Sequence, residues 1–308
     1  MNQTPTQHTS IEEYLDRRKR EVDAALDAYL PPPSTPPSII HEAMRYSVTA
    51  GGKRIRPILA IAAAEACGGG SPLPEKQFAA LELIHTYSLI HDDLPALDND
   101  DLRRGRPTSH VVFGEAIAIL AGDALLTEAF SWLSEPAPGV DPARQLEAVA
   151  LVASAIDSKG MIGGQVADLQ AEKTSLDGDP KELLELLEFI HANKTGRLIT
   201  ASAQLGGLLV GAERDKIEAL ARYGVAIGLA FQIVDDLLDI EGSSESLGKT
   251  AGKDVAQGKL TYPALAGVAQ ARKKLEALLA TAQESADMIG GPVNYLGPMA
   301  RYICERKR

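Results

Sequence analysis

Residues 92–101, DDLPALDNDD, place five aspartates in ten positions at the end of an apolar helical stretch, and Arg103 and Arg104 follow directly. A second acidic set, Asp235, Asp236 and Asp239, interrupts a segment that otherwise reads AFQIV and LL. A carboxylate taken out of water costs several kcal/mol unless it is paired or holds a metal. Two such sets on core-forming helices therefore demand a cation, and that demand constrains the chain more than any other feature. A solvated acidic face is the ordinary explanation of a charge cluster, but the apolar flanks leave little room for one.

Asp235 and Asp239 are four residues apart and share a helix face, with Asp236 beside them. Asp92 and Asp98 are six apart, which on a continuous helix turns them ~120° away from one another. Pro95 resolves this, because it breaks the helix and lets residues 94–97 bulge out, returning Asp98 to the Asp92 face. An all-oxygen ligand set without histidine or cysteine at ligand spacing points to Mg²⁺, with Mn²⁺ as a substitute. Mg²⁺ ordinarily binds through one or two carboxylates plus phosphate oxygens, so a phosphorylated substrate is implied. Lys53, Arg56, Arg103, Arg104, Lys194, Lys249 and Lys259 are the bases available to receive it. No Walker-type lysine loop is present, which disfavours a nucleotide phosphotransferase.

The 308 residues, 45% apolar, can build a substantial core, and the net charge of −11 argues against a nucleic-acid partner. Only two cysteines occur, which fits a reducing, cytoplasmic setting. The N-terminal stretch lacks the apolar core of a signal peptide, and no run approaches the ~20 apolar residues of a membrane span. Residues 1–9 read as a tail. Ser10 and Glu13 have capping-box spacing for a helix to about residue 30, ended by the stiff PPPSTPP linker. Ser38 is placed to cap a second helix, Pro57 suits the first turn of a third through Ala66, and a long helix from Pro74 arrives at Asp92. Further helical stretches are expected over 115–133, 142–172, 180–210, 213–240, 260–285 and 292–305. Strand-like alternation is absent. The expected organisation is all-α, with residues 1–35 (tail, helix, linker) packed on the side of a single domain, 36–308.

At this point the chain resembles the short-chain trans-isoprenyl diphosphate synthases, which include farnesyl and geranylgeranyl diphosphate synthases. AGGKRIRP is similar to that family's first basic loop, and LIHDDLPALDNDDLRRGRPTSH to its first aspartate-rich motif with two inserted residues. GGQVADL, HANKTG, GLAFQIVDDLLD and GKTAGKDVAQGKLTYP resemble later motifs in the right order. The resemblance implies a bundle of mostly antiparallel helices around a central cavity, usually a homodimer. It implies that Asp92 and Asp98, helped by Asp93, hold two Mg²⁺ ions, and Asp235 a third, with Asp236 and Asp239 assisting through water. Arg103, Lys194, Lys249 and Lys259 would grip an allylic diphosphate. Lys53, Arg56, His85 and Arg104 would grip isopentenyl diphosphate. Thr195 and Gln232 resemble the polar pair that steadies the reacting allyl group, and Gln165 and Asp168 match polar positions near the metals. The implied reaction is head-to-tail prenyl transfer, without a side-chain nucleophile.

Product length should depend on what lies below the metals on the same helix. Ser88, one turn before Asp92, is small; Tyr87 is bulky but ~140° off that line. An ordinary core aromatic is the plainer reading of Tyr87. An aromatic there with the inserted motif is similar to bacterial farnesyl diphosphate synthases, so the fifteen-carbon product is expected. The flanking motifs also resemble plant and cyanobacterial geranylgeranyl enzymes, which keeps twenty carbons as the alternative. A terpene cyclase and a non-catalytic synthase partner are remoter alternatives. The first normally mixes Asn, Ser and Glu in its second metal motif; the second commonly loses its acidic motifs. The terminal Arg306-Lys307-Arg308 is expected to be a solvated tail rather than a cover for the site.

Overall fold

A computed structural model describes residues 9–70, 72–171, 178–241 and 260–306, with only the backbone of Glu241. The capping box forms as expected: Ser10 receives the Glu13 amide and the Glu13 carboxylate receives the Ser10 amide, opening α1 (Ile11–Tyr29). Ser38 does not cap the next helix. Pro37 holds that position without a side-chain bond, and Ser38 is already inside α2 (Ser38–Val48). Then come α3 (Ile55–Ala66) and α4 (Glu75–Asp92), which carries the first acidic set at its C-terminal end.

A small antiparallel pair, β1 (Leu102–Arg103) and β2 (Arg106–Pro107), follows, a feature too short for any alternation to announce. Next are α5 (Ser109–Phe113), α6 (Glu115–Ser134) and α7 (Pro142–Ile156). The single helix expected over 142–172 is two. The Asp157 carboxylate accepts the amides of Lys159 and Gly160, turning the chain before α8 (Met161–Ala171). After α9 (Pro180–Ile190) the helical path widens into a π turn, His191–Gly196, and tightens again into α10 (Arg197–Leu209). The long α11 (Arg214–Glu241) carries the second acidic set. Gly267, at φ +83°, divides the stretch expected over 260–285 into α12 (Tyr262–Ala266) and α13 (Val268–Ile289), and α14 (Leu296–Glu305) is the last described helix.

The core lies where α3, α4, α6, α10 and α11 meet, around Leu59, Phe78, Leu83, Ile84, Leu125, Leu205 and Ile227. Each such side chain contributes about 1.5–3 kcal/mol on burial. The alanines of α3 let α10 approach so closely that a Cβ on Gly206 would stand 2.1 Å from the Ala60 carbonyl oxygen. The α1 helix is stapled to this core, with Tyr14 stacked on Tyr295 at 3.9 Å and its hydroxyl donating to Glu65 at 2.7 Å.

The expectation that no run approaches a membrane span needs correction. Glu115–Ser134 and Arg214–Ile240 are long and apolar enough by composition. A core helix of a bundle passes the same test when its faces meet other helices. The second is 61% buried over its most apolar window, the first only 39%.

Candidate active site

The α4 helix ends at Asp92, and the chain then folds back on itself. The Asp98 amide donates to the Asp92 carbonyl at 2.8 Å, and those of Leu97 and Asn99 to that of Leu94. Asn99 takes a left-handed backbone (φ +51°) to complete the loop. Pro95 thus sits in the returning turn, and Asp98 is brought back to Asp92 as its spacing predicts. Burial, with Asp98 and Asp93 nearby, raises the Asp92 carboxyl to about 6 against the opposing pull of Lys194 and Arg103.

Lys194 enters from the π turn. Its ammonium donates to Asp168 on α8 at 2.7 Å, and burial is outweighed by Asp168 and Asp92, so its pKa lies above the ordinary value. Two glycines make this convergence possible. A Cβ on Gly164 would lie 2.2 Å from the Lys194 amide nitrogen, and one on Gly228 would lie 2.7 Å from the Gly196 Cα. Thr195 donates to Gln232 on α11 at 3.1 Å, joining the pair expected to act together. Asp235 lies one turn beyond Gln232 on α11. Lys194 and Thr195 therefore bridge the two acidic sets.

Several residues differ from expectation. Asp93 is buried and takes a forked ion pair from Arg103, at 2.8 and 2.9 Å from Nε and 2.5 Å from Nη2. It is Arg103's counter-ion rather than an open metal ligand, and Arg103 is correspondingly held. Asp236 is also turned inward: it accepts the Tyr262 amide at 2.7 Å and lies 3.9 Å from buried His191. Adjacent aspartates on a helix point ~100° apart, so one of each pair must leave the shared face. Of the tail expected to be solvated, Arg306 is not: its side chain is largely buried against Asp235. Lys249, Lys259, Lys307 and Arg308 lie outside the described residues.

Arg103 also borders a basic cluster around His85. Arg56 and His85 are half-buried, and Arg104 donates to the Gly51 carbonyl from the hairpin. Burial, against Glu82 and with Arg104 nearby, lowers Arg56 to about 10, and burial among Arg56, Arg104 and Arg103 keeps His85 well below 6.5 and neutral. Gly52, at φ +124°, faces the Arg104 guanidinium, which a Cβ would meet at 2.5 Å. Lys53 is exposed at the rim. Tyr87 is 5% exposed, edge-on to His91, with a hydroxyl that is buried without a partner and raised to about 12 by burial and Asp92. The Ser88 hydroxyl donates to the His85 carbonyl.

Two residues escaped the sequence reading. Glu82 is buried in the apolar run of α4 three positions before His85, and a lone acid in such a run was a legible signal. Arg54 offered none, being one arginine of two in the same short loop.

A divalent cation fits this arrangement, although among the described residues no three carboxylate, imidazole or thiol groups converge into a ready cage. The Asp92 carboxylate is destabilised by burial and like charge, and one Asp239 oxygen is buried with no partner. The donors are oxygens only, and a diphosphate would supply the missing ones.

The polyprenyl synthetase family model matches residues 37–294. Among curated proteins, the large subunit 1 of a heterodimeric geranylgeranyl pyrophosphate synthase from Arabidopsis thaliana is 46% identical over 96% of this chain and 79% of its own. The geranylgeranyl pyrophosphate synthase of Capsicum annuum is 48% identical over 84% of this chain and 69% of its own. Among solved structures, an FPP/GFPP synthase from Zymomonas mobilis superposes with a TM-score of 0.83 at 36% identity, covering 95% of this chain and 98% of that one. The geranylgeranyl pyrophosphate synthetase of the archaeon Geoglobus acetivorans gives 0.83 at 30% identity, covering 96% and 99%. The fold is all-α like theirs, and the chain belongs to the polyprenyl synthetase family and is a prenyltransferase.

Proposed function

We propose that the chain condenses isopentenyl diphosphate head to tail with an allylic diphosphate and carries the product to geranylgeranyl diphosphate. The observation that carries the reaction is the meeting of Asp92, Asp98, Lys194 and the Thr195–Gln232 pair between the two acidic helices. Asp92, Asp98 and Asp235 would hold Mg²⁺, which when bound neutralises a diphosphate as it departs. Lys194 adds fixed positive charge to the same leaving group, and Lys249 and Lys259 are assigned there by motif alone. The allylic carbon–oxygen bond breaks with its electron pair leaving on the diphosphate. Thr195 and Gln232 turn their oxygens toward the electron-poor allyl group. Arg56, Arg104 and neutral His85 hold isopentenyl diphosphate so that its double bond supplies the pair for the new carbon–carbon bond. The proton lost in closing that step goes to a diphosphate oxygen, so no side-chain base is needed.

The names of the relatives favour twenty carbons, against the fifteen expected from Tyr87. A second reading, farnesyl diphosphate, is supported by Tyr87 itself, buried within the field of Asp92 where a growing chain would pass. We also infer a homodimer: α6 leaves Ile119 and Leu120 43% and 54% exposed, beside Val111 and Val112 of α5. Light scattering should give twice the chain mass.

Purified protein with Mg²⁺, isopentenyl diphosphate and dimethylallyl, geranyl or farnesyl diphosphate should yield a twenty-carbon diphosphate. A product halted at fifteen carbons selects the second reading. A cyclic hydrocarbon, or no elongation, refutes both.

A further inference from the structure

Arg54 has no role in the mechanism above, yet it is more tightly held than any base that does. Its side chain is 3% exposed and every nitrogen is used. Nε donates to Asp23 on α1 at 2.8 Å, Nη1 to Glu82 on α4 at 2.8 Å, and Nη2 to the Val48 carbonyl at the end of α2 at 2.7 Å. Its backbone is left-handed (φ +53°) immediately before α3, a conformation an L-residue adopts only where its surroundings impose it. Three helices thus meet on one planar fork, which a lysine could not replace.

We propose that Arg54, clamped by Glu82 and Asp23, is the positioning residue that builds the isopentenyl diphosphate pocket, making α1 part of that pocket's construction. Inward rotation of Arg54 turns the loop so that its neighbours serve the other side. Lys53 lies exposed, and Arg56, in the first turn of α3, comes beside His85. Glu82 lies one turn before His85 on α4, and its charge is felt by Arg56 and Arg104 as well as by Arg54. It is the buried counter-ion among these three guanidiniums, holding Arg54 out of the anion's reach while Arg56 and Arg104 face it. Asp23 lies outside the residues matched by the family model, so this link comes from a helix to which that model assigns nothing.

The inference rests on the prenyl-transfer reading of the pocket. Steady-state kinetics of Arg54→Lys and Asp23→Asn test it, with both substrates varied separately. A clamp lost at charged partners should raise KM for isopentenyl diphosphate about tenfold in Arg54→Lys and about threefold in Asp23→Asn. KM for the allylic substrate and kcat should stay within about twofold of wild type, a split that general loosening of the fold does not produce. Parallel rises in both KM values, or a change confined to kcat, overturn the proposal. Asp23 is partly exposed on α1, so its variant carries the test if Arg54→Lys does not fold. Wild-type protein without elongation refutes the prenyl-transfer reading instead. Calorimetric titration of isopentenyl diphosphate into metal-free wild type and Asp23→Asn then decides Arg54's role directly: weaker binding by the variant supports it, equal affinities overturn it.

Discussion

Arg306 donates to Asp235 at 2.6 Å and to the Phe231 carbonyl at 2.9 Å, with its guanidinium 3.9 Å from the centre of the Phe231 ring. The leading carboxylate of the second acidic set is therefore already paired with a cation from the chain's own end. Its Nε is buried without a partner, so the arrangement is incompletely satisfied and open to displacement. A divalent ion arriving at Asp235 must compete with it. Arg306→Ala should tighten Mn²⁺ binding, followed by electron paramagnetic resonance, about fivefold, the equivalent of ~1 kcal/mol for one partly exposed pair. Unchanged or weaker binding would show that the pair does not oppose the metal.

The role in product length proposed for Tyr87 rests on its volume and not on its hydroxyl, which has no partner. Tyr87→Phe should therefore leave the product distribution unchanged. Tyr87→Ala removes the ring and should shift the principal product upward by at least one five-carbon unit, read by chromatography of the dephosphorylated alcohols. Destabilisation by about 3–5 kcal/mol is the accompanying cost of emptying a buried aromatic site. If Tyr87→Ala halts at the wild-type length, the ring is core packing and the floor lies elsewhere.

The Asp92 carboxyl gives a pH dependence with a definite sign. Its folded value of about 6 exceeds the ordinary 3.8, so protonation favours the metal-free fold. That contribution is complete below about pH 4 and is lost as pH rises through 6. The melting temperature of chelated wild-type protein should therefore carry a downward component between about pH 4 and 6 that Asp92→Asn lacks. Adding Mg²⁺ with inorganic diphosphate should remove the same component, because the ionised carboxylate then has a cation. Matching profiles for the two proteins would contradict the burial of charge at Asp92.

What the sequence made legible follows from local rules. The apolar spacing of α4, the Ser10–Glu13 cap and the return of Asp98 through the Pro95 turn all depend on near neighbours. The bridging pair Thr195 and Gln232 came from motif resemblance, and the geometry joins them across two helices. The rest depends on partners remote in sequence. Nothing in HANKTG distinguishes a π turn from the α-helix on either side, because the widening accompanies contacts with Gly164 and Gly228. Asp92 and Asp93 are chemically alike, and the forked pair with Arg103 decides which one is withdrawn. Arg54 and Arg56 are chemically alike, and Asp23 and Glu82, remote in sequence, hold the one that turns inward. Arg306 reaches Asp235 from 71 positions away.

Gly164 tests how far the π turn governs the site. A methyl group there would meet the Lys194 amide nitrogen at 2.2 Å, a backbone atom that cannot swing aside as a flexible side chain could. Gly164→Ala must push α8 away from the turn, carrying Asp168 from Lys194 and loosening the hold of Lys194 between Asp168 and Asp92. Overpacking of this kind costs about 1–3 kcal/mol, equivalent to a fall of roughly 2–10 °C in melting temperature for a chain of this size. Turnover should fall by more than tenfold at temperatures where the variant is fully folded, since ~1 Å of misplacement near the reacting groups has effects of that order. Gly178→Ala is the control: its Cβ would meet nothing closer than 3.6 Å, so both stability and turnover should hold. A Gly164→Ala enzyme with wild-type turnover would mean that α8 can retreat without moving Lys194, and that the glycine serves packing alone.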